Sequence, residues 1–115
     1  MGNLVNKKSK SSDLKILYVV YPDKFNIDKL INQLTKKKLI VCVNVIPKVK
    51  SYYLWKSKYE KSTEMIALFK TSKKKLLKLK AILKDNHPYD VPLICEFRVH
   101  HINSEYLSYL SHEIA

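Results

Sequence analysis

Residues 42–71 read CVNVIPKVKSYYLWKSKYEKSTEMIALFKT, and the fold turns on how this run divides. Val41, Val43 and Val45 alternate with Cys42, Asn44 and Ile46, the period of two expected of a strand with two distinct faces. Pro47 removes a ladder donor and marks a bulge or a local edge. Tyr52, Tyr53, Leu54 and Trp55 lead to a turn at Lys56-Ser57-Lys58, and Tyr59 to Thr71 returns with Glu60, Ser62, Glu64, Ile66 and Leu68 on one face. This is a β-hairpin. A strand of about 14 residues is roughly 45 Å long, whereas a compact domain of this size is about 35 Å across. The hairpin should therefore overhang its own core. Its aromatic and apolar side chains would then need cover from another subunit.

The flanking segments supply the rest of a domain. Leu14 to Tyr21, LKILYVVY, is the apolar run of a central strand. Ile27, Leu30, Ile31 and Leu34 follow at helical spacing, with Asp23 or Asn26 as the cap and Lys36-Lys37-Lys38 as a basic last turn. Leu76, Leu79 and Leu83 mark a second helix that Ser72 could cap. Its opening Lys73-Lys74-Lys75 sets positive charge at the positive pole of the helix dipole. That cost reflects either a lysine-rich composition or an anionic partner nearby. NHPYDVP at 86–92 stops the helix, a fourth strand spans about 92–99, and Asn103 caps a terminal helix striped by Tyr106, Leu107, Leu110 and Ile114. The order β-α-β-β-α-β plus a C-terminal helix is an α+β, ferredoxin-like pattern with an extended hairpin between its second and third strands. One domain is expected over 13–115, preceded by a disordered basic tail, MGNLVNKKSKSS, over 1–12.

Composition narrows the function. The chain has 115 residues and a formal charge of +12, almost all of it lysine, with Arg98 the sole arginine. Sequence-specific nucleic-acid readers lean on arginine, so specific nucleic-acid binding is not expected. The two cysteines, Cys42 and Cys95, read as reduced thiols of a soluble cytoplasmic protein. No apolar run approaches the roughly 20 residues that span a bilayer, so no stable membrane insertion is expected. Gly2 suggests myristoylation, but Asn6 stands where that motif wants Ser or Thr. No glycine follows Gly2 and no Ser-His-acid order is present, and Glu60 and Glu64 on one strand would be about 13 Å apart, too far to act on one bond. The chain does not read as an enzyme. Cys42 and His87 are the best candidates for holding a soft or borderline cation, although their separation matches no short-range ligand spacing.

The hairpin run 42–71 together with NHPYDVP resembles the CutA family, the divalent-cation tolerance proteins, and the similarity extends from Leu14 to Glu113. The resemblance implies a homotrimer, PII-like in assembly, whose hairpins lie against neighbouring subunits. It also implies a role in copper or zinc tolerance, with weak binding of such an ion at Cys42 and His87. The family's shared residues fall on Asn44, Tyr52, Trp55, Lys58, Glu60, Glu64, Lys70, Tyr89 and Asp90, implied to gather around a groove between subunits. Three positions depart from the family's pattern. Ser57 replaces a usual glycine, implying a looser or different turn. Leu93 stands where a glutamate is common, and Tyr109 replaces a frequent tryptophan. Two other readings stay open: a trimeric signalling or anchoring scaffold without metal function, and an RNA-recognition module of the same element order. The third strand lacks the latter's aromatic and basic signature.

Overall fold

The computed structural model describes residues 13–114, and the basic tail read over 1–12 lies outside them. The elements are β1 (Leu14–Pro22), α1 (Ile27–Lys36), β2 (Cys42–Trp55), β3 (Lys58–Ser72), α2 (Leu76–Asp85), β4 (Ile94–Phe97) and α3 (Ser104–Ile114). The strands form one four-stranded sheet in the order β2-β3-β1-β4, antiparallel throughout. The period of two in β1 and β3 sends Leu17, Val19, Tyr21, Met65, Ala67 and Phe69 to one face, where Leu30 and Leu34 of α1 and Leu79 and Leu83 of α2 bury them. On the opposite face Leu14, Ile16 and Val41 pack against Leu107, Leu110 and Ile114 of α3. That helix covers only one end of its face, and Ile46 and Phe97 stay exposed there. Thr71 is fully buried and its Oγ1 donates to Leu39 O at 2.7 Å, fastening the entry of β2 to the end of β3.

Several boundaries differ from those expected. Leu39 and Ile40 are core residues ahead of β2, where Lys38 takes a left-handed φ of 53° that turns the chain out of α1. Asn26 caps α1 by accepting from Lys29 N at 3.2 Å, while Asp23 reaches the hairpin instead. Ser72 ends β3 and caps nothing, and α2 begins behind Lys75 with no side-chain cap. β4 has four residues rather than the eight expected, since it pairs only with Ile16 to Val19 of β1.

The hairpin carries the largest local irregularity. Ile46 pairs with Ile66 but Val49 with Glu64, so β2 holds one extra residue at Pro47-Lys48. Lys48 sits at φ 58°, its N–H donates to Asp23 Oδ1 at 3.2 Å and its Nζ lies 3.8 Å from Asp23 Oδ2. The extra residue inverts the alternation of β2. Cys42, Asn44 and Ile46 share the α3 side with Val49, Ser51, Tyr53 and Trp55, while Tyr52 and Leu54 point the other way. Beyond the bulge the hairpin leaves the core behind. The described chain extends 58 × 28 × 22 Å with a radius of gyration of 16.0 Å, against about 13 Å for a compact domain of this length.

The turn is tight, so of the looser or different turn that Ser57 implied, the looser one does not form. Trp55 pairs with Lys58, so Lys56 and Ser57 form a two-residue loop with φ of 49° and 67°. Both residues bear a Cβ in the left-handed region, which costs about 1–2 kcal/mol each. Ser57→Gly should therefore raise stability by about 1 kcal/mol, read as a higher urea midpoint at fixed protein concentration. An unchanged or lower midpoint would show that the turn carries no such strain.

Candidate ligand cleft on the open sheet face

The open face meets the 86–92 loop at the root of the hairpin. Glu64 lies on β3 between Pro22 of β1 and Val49 of β2, where the hairpin leaves the sheet, and only 8% of its surface is exposed. Its Oε2 accepts a hydrogen bond from the Tyr89 hydroxyl. A carboxylate so withdrawn from water needs such a donor. Burial, and then the bond to Glu64 and its charge, push the Tyr89 phenol well above its usual range, with Tyr53 adding to the rise. The phenol therefore stays neutral and donates.

His87 orients the loop that delivers Tyr89. Its Nε2 lies 2.7 Å from Val20 O, and its Nδ1 accepts the Tyr89 N–H at 3.0 Å. A carbonyl can only accept, so the proton resides on Nε2 and the ring is neutral. The ring stacks on Tyr21 at 4.6 Å, and Phe25 stacks on the same tyrosine at 4.6 Å. Desolvation holds the His87 pKa below its ordinary value, against the opposing pull of the Val20 bond and the Glu64 charge. The unfolded chain thus binds this proton more readily than the folded one. The stabilisation is complete above about pH 6.5 and is lost as pH falls through and below that value. The thermal midpoint should fall between about pH 7 and pH 5, and by less in His87→Gln. Equal pH slopes in the two proteins would refute this role.

These residues border a cleft of about 700 Å³, walled by Val20, Pro22, Tyr53, Trp55, Tyr89 and Leu93, with Glu64 and Asp90 at its edge. Among the described residues, no lysine and no arginine lines it. Trp55, Glu64, Tyr89 and Asp90 of the expected groove are brought together here, and Lys58 and Glu60 occupy the same face further out on the hairpin. Tyr52 is not, because the bulge sends it to the opposite face, opposite Lys61. Tyr53 takes its place. Pro47 was the signal for this exchange, since one inserted residue inverts the parity of everything after it.

The remaining expected residues collect at the far end of the sheet. Cys42 pairs with Lys70, Cys42 Sγ lies 3.9 Å from Asn44 Oδ1, and Lys70 Nζ stands 6.0 Å from the Tyr106 ring centroid. This separates Cys42 from His87. Val20, which holds His87, pairs with Ile66, four residues along β3 from Lys70 and so about 13 Å away. With both His87 nitrogens engaged, the two residues expected to hold one metal ion do not form a shared site within a chain. Among the described residues, no group of three or more His, Cys, Asp or Glu side chains is placed to hold a metal ion.

The chain matches, over residues 15–113, the family described as CutA1 divalent ion tolerance protein. It is 36% identical over 98 residues to the divalent-cation tolerance protein CutA of Pyrococcus horikoshii, covering 85% of this chain and 95% of that one. To the chloroplastic CutA of Arabidopsis thaliana it is 30% identical, covering 92% of this chain and 58% of that one. The crystal structure of CutA1 from Oryza sativa superposes with a TM-score of 0.80 at 30% identity, over 90% of this chain and 94% of that one. CutA1 from Ehrlichia chaffeensis shares the fold, with a TM-score of 0.82 at 24% identity, covering 90% of this chain and 96% of that one.

Proposed function

Because the chain belongs to the CutA1 divalent ion tolerance protein family, we propose that it acts in copper or zinc tolerance as a homotrimer of ferredoxin-like subunits in a PII-like arrangement. The observation that carries the assembly is the overhanging hairpin, which holds Tyr53 at 41% and Trp55 at 45% exposure on the open face, away from any core of its own chain. A neighbouring subunit laid along the open face would cover this surface and close the cleft of Tyr53, Trp55, Glu64 and Tyr89 into a groove between chains. The free thiols fit a cytoplasmic setting.

Cation binding in this reading is weak and centres on Cys42, whose thiol is half-buried on the α3 side of the sheet beside Asn44. Soft or borderline ions favour a thiolate, and the second donor would come from another subunit. His87 serves the loop rather than the ion. Calorimetry with copper and zinc should show binding that Cys42→Ser weakens at least roughly tenfold, while His87→Gln leaves it unchanged. Equal binding in wild type and Cys42→Ser would refute the thiol, and no heat in any variant would favour a scaffold without metal function.

A further inference from the structure

The end of the molecule opposite the hairpin gathers two lysine triplets that are far apart in sequence. Lys36, Lys37 and Lys38 close α1, and Lys73, Lys74 and Lys75 open α2. The Thr71 bond to Leu39 O and the Val41 N–H bond to Lys70 O at 2.9 Å draw the two turns together. The ion pairs among the described residues involve Lys15, Lys48 and Lys80, and none of these six. At the same end the backbone carbonyl of Asp13 accepts from Lys73 N at 2.9 Å. Beside the second triplet Leu77 stands 80% exposed on the first turn of α2. Its neighbours Leu76 and Leu79 are buried, so Leu77 belongs to the outer face of that helix.

We propose that this basic end, with Leu77 beside it, docks on an anionic lipid surface. Lysine ammonium groups suit a diffuse layer of lipid phosphates and carboxylates, which demands no bidentate geometry. A single exposed aliphatic side chain among them can enter the headgroup boundary without any spanning segment. The patch has no arginine fork and no aromatic platform for stacking bases, which disfavours nucleic acid. It is formed by α1 and α2 on the side away from the open sheet face, so it stays accessible when the hairpin is covered.

The test is co-sedimentation of the full-length chain with phosphatidylcholine vesicles that contain, or lack, phosphatidylserine. Binding should be roughly tenfold or more stronger with phosphatidylserine and should be lost between about 0.1 M and 0.5 M salt. Lys73→Glu, Lys74→Glu and Lys75→Glu combined should abolish it, and Leu77→Ser should weaken it several-fold. Leu77 is exposed and outside the core, so its variant should keep the wild-type far-UV spectrum. Equal binding to both vesicles would overturn the proposal. So would unchanged binding in the triple variant, which would assign the attraction to lysines elsewhere. Displacement from vesicles by stoichiometric duplex DNA would reassign the patch to nucleic acid.

Discussion

Leu54→Asp combined with Trp55→Asp is expected to turn the assembly into single folded chains. The two side chains are 59% and 45% exposed in one chain, so whatever buries them must come from outside it. Burying the exposed halves of two large apolar side chains contributes about 1.5–3 kcal/mol, equivalent to roughly tenfold to a hundredfold in a dissociation constant. Carboxylates in their place would be desolvated without partners, adding to the loss. The subunit itself should survive. Its core, built on Leu17, Val19, Phe69, Leu79 and Leu83, lies behind the bulge and touches neither residue. Size-exclusion chromatography with light scattering should show the mass of one chain, with the far-UV spectrum retained. A variant that keeps the wild-type mass would show that the hairpin tip plays no part in assembly.

Phe69→Ala should be the most destabilising single truncation of a subunit. Phe69 is fully buried on β3, opposite Leu17 of β1 and Val43 of β2, and beneath both α1 and α2. Removing a ring at the junction of three strands and two helices leaves a cavity that no single element can collapse to fill, at a cost of about 3–5 kcal/mol. Urea denaturation at one fixed protein concentration is the measurement, since association shifts the midpoint by mass action. A loss below about 1 kcal/mol would mean that the two-layer packing is not the main source of stability.

Much of this architecture was legible because local and global patterns agree. The period of two in β1 and β3 and the helical spacing of Ile27, Leu30 and Leu34 each gave the face that the structure buries. The hairpin's excess length over its own core followed from strand geometry alone, and the long axis of 58 Å bears it out. What escaped depends on contacts between distant residues. Pro47 announced an irregularity, but the direction of Tyr52 and Tyr53 depends on Lys48 being held by Asp23, 25 residues away. His87 and Cys42 looked alike as ligand types. Only the fold shows that Val20 and the Tyr89 N–H occupy both nitrogens of one, while the thiol of the other is half-buried at the α3 end of the sheet, beside Asn44. The Lys56-Ser57 turn gave no glycine to read, and pairing of the flanking strands forces both residues to positive φ all the same.

The most direct test of the account is the mass of the wild-type chain in solution, measured by multi-angle light scattering at low micromolar concentration. Three times the 13.5 kDa of one chain is the predicted result. A single-chain mass would contradict it, leaving the aromatic hairpin without cover and the cleft of Tyr53, Trp55, Glu64 and Tyr89 without its second wall.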